Sequence, residues 1–181
     1  MLMIEVPEVE LFDEETQSFA KSIPAQTLIL EHSLVSLSKW EEIWEKPFLT
    51  KGNKSSEETL DYIRCMTITP KKVSPESYLA IPGSVIKQVT DYIEKPMTAT
   101  TFSNERGKPN REIVTAELIY FWMFSHQIPL DWEKRHLNKL MTLIKVCNIK
   151  NAPPKRMDRR TSMSKHRAIN AARRREGFNN G

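Results

Sequence analysis

The sequence predicts a mainly α fold of the α+β type, with a minor, short sheet and a compact helical domain built on a C-terminal helical hairpin. Three observations predict it. Several segments place apolar residues at three- and four-residue spacings between recognisable caps. Strand character is confined to a few short stretches, and the 181 residues contain only five glycines, too few for a loop-rich or barrel architecture.

Residues 1–25 carry Pro7 and Pro24 and begin with a short apolar run, Met1 to Val6, of strand character. They read as an acidic N-terminal arm, partly ordered at best. Gln26 to His32 has the length and apolar density of a buried strand. A helix from about Ser36 to Glu45 follows, with Leu37, Trp40, Ile43, Trp44 and Phe48 as its apolar stripe and Pro47 as its stop. Two tryptophans one turn apart read first as core.

Ser55 and Glu58 form a capping box that starts a helix carrying Leu60, Ile63 and Met66, ending near Thr69-Pro70. Ser74-Pro75 starts another, and Pro82 to Glu94 repeats the pattern with Val85, Val89 and Tyr92 on one side. Met97 to Phe102 is rich in β-branched residues and is expected to pair with Glu112 to Val114 as a short hairpin.

Eight of the nine residues from Ala116 to Phe124 are apolar or aromatic. A helix there, capped by Thr115 and ended at Ile128-Pro129, is expected to be buried on most sides. A second helix from Asp131 carries Leu137, Leu140, Met141, Ile144 and Cys147 on one stripe, and the short connection makes the two a hairpin. The core is expected to rest on that hairpin. The domain thus spans 26–152, followed by a basic C-terminal tail, 153–181. That tail has few sizeable apolar groups, although its Ala and Arg content allows a helix between about Ser162 and Arg175.

The net charge of +4 hides an acidic head and a basic tail. Residues 1–20 carry six acidic groups and no Lys or Arg, whereas residues 155–181 carry nine Lys or Arg against Asp158 and Glu176. Solvated ends are the simplest reading, and head-to-tail self-association between copies is the other. The tail can meet phosphates or an acidic protein surface, with binding that weakens as salt rises. Lys155, Arg156, Arg159, Arg160, Arg173, Arg174 and Arg175 are its candidate contacts. Aromatic interleaving that would stack bases is missing, so nucleic-acid binding through the tail would be weak.

No phosphate-cradling Gly-rich loop, His-Glu-x-x-His, Cys-x-x-Cys or Gly-x-Ser-x-Gly is present in the sequence. The four histidines are dispersed singly. The expectation is a protein without catalytic residues, cofactor or metal. Cys65 and Cys147 read as reduced core thiols of a cytosolic protein, and the N-terminus lacks the features of a secretory signal, so no membrane association is expected.

LEHSLVSLSKWE from Leu30, KPFL from Lys46, DYIRCMTI from Asp61, MTATTF from Met97, HLNKLMTLIKVCNIKNAPPK from His136 and NAARRR from Asn170 resemble a family encoded in tailed-bacteriophage structural gene clusters. Its members are often labelled tail assembly chaperones. The similarity runs in separate blocks from about Leu30 to Arg175. It implies a non-enzymatic virion morphogenesis factor that binds the tape-measure protein, keeps it in solution and assists tail-tube assembly. Such a factor works in the host cytoplasm and is absent from the mature virion. Some relatives exist in a second, longer form made by ribosomal frameshifting. A groove beside the hairpin is the expected contact surface, with Trp40, Trp44 and Trp132 as partner-binding residues alongside Trp122 and Phe124. For Trp122 and Phe124, burial is the favoured reading. The alternatives are a nucleic-acid-binding phage factor that uses the basic tail and a structural head-to-tail completion protein.

Overall fold

The computed structural model describes residues 1–13, 18–50, 52, 54–70, 73–102, 112–153 and 159–178. It is a helix-rich α+β fold with a small antiparallel sheet. By its internal contacts the chain divides into Met1–Cys147, which holds the core, and Asn148–Gly181.

Among the described residues of the first thirty, four strands form. β1 (Leu2–Val6) pairs antiparallel with β4 (Gln26–Leu30), Leu2 opposite Leu30 and Val6 opposite Gln26. β2 (Val9–Asp13) and β3 (Ser18–Ile23) continue the ribbon as a second antiparallel pair. Period-two alternation sends Ile4 and Val6 of β1 and Leu28 and Leu30 of β4 into the core, while Met3 and Glu5 face out. β5 (Thr67–Thr69) completes a sheet of order β1-β4-β5. The β-branched run at Met97–Phe102 is no strand, nor is Glu112–Val114. The loop expected to join them lies largely outside the described residues.

α1 (Leu34–Trp44) packs against α2 (Ser56–Met66), α5 (Ala116–Ser125) and a 3-10 turn at Leu130–Lys134. The core draws buried residues from β1, β4 and helices along the whole first unit, and not from the two C-terminal helices alone. Ser33 and Ser36 cap α1 reciprocally, and Glu45 ends it in the left-handed region at φ 51°. Its buried stripe is Leu34, Leu37, Trp40 and Glu41. Ile43, expected in that stripe, is exposed.

The Ser55–Glu58 capping box of α2 forms as its spacing predicts, and Tyr62, Ile63 and Met66 are buried. α3 (Pro75–Leu79) begins with Pro75, and α4 (Gly83–Glu94), which follows Pro82, packs on β1 with Val89 and Tyr92 inward. The second C-terminal helix does not begin at Asp131. The 3-10 turn intervenes, and α6 (Leu137–Asn151) starts where the N–H of Leu137 donates to the His32 carbonyl at 2.8 Å. Leu137, Leu140 and Ile144 are its buried stripe. In the second unit, α7 (Arg159–Phe178) is longer than its sequence suggests, with Met163 and Ile169 about half exposed. No described helix is long and apolar enough to cross a membrane.

Candidate partner-binding surface

α5 holds more apolar residues than the core uses. Ala116, Ile119 and Met123, at three- and four-residue spacing, are buried. At 100° per residue, Phe121 falls opposite that stripe and Phe124 on the adjoining flank, about 60° from Phe121, and they are 62% and 67% exposed. The expectation of burial on most sides therefore fails for α5, and Phe124 in particular is not a core residue. Single exposed apolar side chains are ordinary; two phenylalanine rings one turn apart make a contiguous apolar patch. Ile113 before the helix and Leu130 after it are also exposed.

The face is held rigidly from behind. Thr115 caps α5 by accepting from the Leu118 N–H at 3.5 Å, and the Glu41 carboxylate accepts from the Ala116 N–H at 2.7 Å. The hydroxyl of Tyr120 donates to Glu133 at 2.9 Å, tying α5 to the 3-10 turn. Burial, then the Glu133 carboxylate, pushes the Tyr120 phenol up to about 12.

Trp40, a residue of the expected groove, is only 2% exposed. Its indole N–H donates to the Glu58 carbonyl at 3.0 Å, and its ring meets Trp44 at 6.0 Å and Phe48 at 5.0 Å between centroids. It is a core residue, because α1 turns that face onto α2. Trp44 is half-buried, its indole N–H bound to Asp61 at 2.9 Å. Trp122 and Trp132 are half-buried, and the Lys139 ammonium lies 5.9 Å from the Trp132 ring centroid.

Arg173 and Arg174 are exposed on α7, where Arg159, Arg160 and Arg175 also fall. Lys155 and Arg156 lie outside the described residues.

A polar network inside the first unit has no local sign in the sequence. His32 Nδ1 and the Tyr62 hydroxyl share a 2.6 Å hydrogen bond, and the His32 and His136 rings stand 5.1 Å apart, edge to face. His136 Nε2–H donates to the Tyr92 carbonyl at 3.2 Å while its Nδ1 accepts from the Asn138 N–H at 3.3 Å, which requires the neutral ring. The Tyr92 hydroxyl donates to Glu31 at 2.7 Å. Burial and then His136 push His32 down to about 3, and burial lowers His136 also. Neutral, mutually satisfied imidazoles of this kind fasten β4, α2, α4 and α6 together. No group of three His, Cys, Asp or Glu among the described residues is placed to hold a metal ion. Cys65 and Cys147 are free, and burial pushes the Cys65 thiol up to about 11, away from nucleophilic reactivity.

Compared with known proteins, the chain matches no family model, no curated protein and no solved structure.

Proposed function

We propose that this chain is a non-enzymatic assembly chaperone of the phage-tail kind, which binds an apolar helical stretch of a tape-measure protein and releases it as the tail tube forms. The observation that carries the proposal is the outward Phe121–Phe124 pair on α5. A tape measure is a long helical chain with apolar stripes, and two rings one turn apart match the spacing of such a stripe in helix-against-helix packing. The blocks of sequence from Leu30 to Arg175 that resemble the tail assembly chaperones give the partner its identity. In this reading α5, the 3-10 turn and α6 act as a hairpin that presents the surface. Trp132 and Trp44, half-buried, border the contact or brace it. Trp40 supports it from the core.

With the two rings already one third covered in the fold, burying the rest removes roughly 200–300 Å² of aromatic surface from water. That is enough for reversible binding and too little for a permanent interface. A chaperone that must let its client go needs this regime. It acts in the host cytoplasm during assembly and leaves before the virion is complete.

The test is co-expression with the tape-measure protein of the same gene cluster, followed by nuclease treatment and co-purification. The wild-type chain keeps the tape measure in solution, and Phe121→Ser with Phe124→Ser loses it. If the double variant protects the tape measure as well as wild type does, the surface is wrong; if neither protects it, the chaperone reading is wrong.

A second reading rests on the exposed Arg173 and Arg174 of α7, which suit an acidic tail-tube surface or phosphates. Retention on nucleic acid that disappears as salt rises would favour a nucleic-acid-binding factor. Presence of the chain in purified virions would instead favour a head-to-tail completion protein.

A further inference from the structure

Between α2 and α4 lies a cavity of about 170 Å³, walled by the rings of Phe48 and Tyr62 and the branched chains of Ile63, Ile86 and Val89. Native interiors keep few voids larger than a water molecule. An apolar cavity of about 150 Å³ is known to stay dry and to accept a benzene-sized guest. Three polar side chains also line this one: Lys54, Thr59 and Thr90. Both hydroxyls are already committed, Thr59 donating to the Ser55 carbonyl at 2.9 Å and Thr90 to the Ile86 carbonyl at 3.0 Å. The Tyr62 hydroxyl is engaged by His32.

Lys54 is different. It is half-buried, with Nζ 4.1 Å from the Phe48 ring centroid, and it has no carboxylate within ion-pair distance among the described residues. Glu58 is the acidic group that attracts it, but Oε1 of Glu58 is bound to Lys46 at 2.9 Å and Oε2 accepts from the Ser55 N–H at 2.8 Å. Loss of water around the ammonium lowers its proton affinity. An apolar chamber with one underused cation on its rim is the usual design of a site for a small amphiphile with an anionic end.

We propose that this cavity binds a small aryl or branched-alkyl carboxylate, its apolar body between α2 and α4 and its carboxylate on Nζ of Lys54. The site goes beyond the chaperone reading and does not depend on it. The volume suits a body of about six to eight non-hydrogen atoms. Filling it would brace α4 against α2 on the far side of the aromatic cluster that includes Trp40.

The probe is benzoate, titrated into the isotope-labelled full chain and followed by amide NMR, with benzyl alcohol and acetate as partial mimics. Benzoate shifts the amides of Phe48, Thr59 and Thr90 at millimolar concentration or below, and each mimic binds at least about tenfold more weakly, having lost one of the two contacts. Lys54→Met keeps the apolar stem, weakens benzoate about tenfold and leaves benzyl alcohol unaffected. Val89→Phe fills the chamber and abolishes both. No shift at those three amides in the wild-type chain, or undiminished benzoate binding by Lys54→Met, overturns the proposal whether or not Val89→Phe folds.

Discussion

Glu41 accepts a hydrogen bond at 2.7 Å from the backbone N–H of Ala116, the first residue of α5, across 75 positions of sequence. Its other carboxylate oxygen accepts from the Phe48 N–H at 2.8 Å. One buried side chain of α1 thus holds both the loop that follows α1 and the N-terminus of the helix carrying the exposed phenylalanines. The positive end of the α5 dipole favours a carboxylate there.

Removing that carboxylate leaves two buried N–H groups without acceptors. Glu41→Ala is expected to cost roughly 2–5 kcal/mol, and Glu41→Gln less, because its amide oxygen retains one of the two bonds. Urea denaturation of both variants checks the ranking. Equal, small losses would mean that water replaces the carboxylate.

Trp40→Ala should be a poor probe of partner binding. With the ring 2% exposed and stacked in an aromatic cluster, truncation is expected to cost about 3–5 kcal/mol of stability. A drop in thermal midpoint with near-native binding per folded molecule is the expected pattern. Lost binding without lost stability would place Trp40 on the surface after all.

Local signals were legible in the sequence, and long-range ones were not. The Ser55–Glu58 box, Pro75 at a helix start, Thr115 as a cap and the Leu137, Leu140, Ile144 stripe each depend on neighbours within a turn or two, and each appears in the structure. The pairing of Leu2 with Leu30 depends on a partner strand beyond two prolines, so the acidic arm hid a β-ribbon. Met97–Phe102 has strand composition but no strand results, because β propensity expresses itself only against a partner. In α5 the apolar residues fill every face, so periodicity could not say which side meets the core. The excess itself was the signal for the surface: a ten-residue helix with one buried stripe has no use for Phe121 and Phe124. Nothing local announced that His32 would meet His136 or that Lys54 would stand over an apolar chamber.

Phe121→Ser and Phe124→Ser are expected to change stability by no more than about 0.5 kcal/mol each, as substitutions on an exposed face do. Ile119→Ala, on the buried side of the same helix, should cost about 2–5 kcal/mol. Thermal or urea unfolding of the three variants checks the contrast. A large loss on Phe124→Ser would show that the ring is packed and that α5 is an ordinary core helix.

The His32–His136 pair should make the fold sensitive to mild acid. An unfolded histidine titrates near 6.5, whereas His32 in the fold is pushed down to about 3, mainly by burial, and His136 is lowered as well. Below the unfolded value, the unfolded chain binds more protons than the native one, so stability falls as pH falls. The contribution is complete above about pH 6.5 and is lost progressively towards the folded value, His32 alone accounting for about 2 kcal/mol by pH 5. The proton has nowhere to go without breaking structure: Nδ1 of His136 accepts from Asn138, and His32 lies beside His136 and Tyr62. Urea midpoints measured between pH 5 and 7 should rise with pH in the wild-type chain. The slope should flatten in His32→Gln, even though that variant is less stable throughout. His166→Asn, a change at an exposed position of α7, should keep the wild-type slope. A wild-type midpoint that does not change over this interval would mean that the two imidazoles take up protons in the folded state, and the buried neutral pair would have to be abandoned.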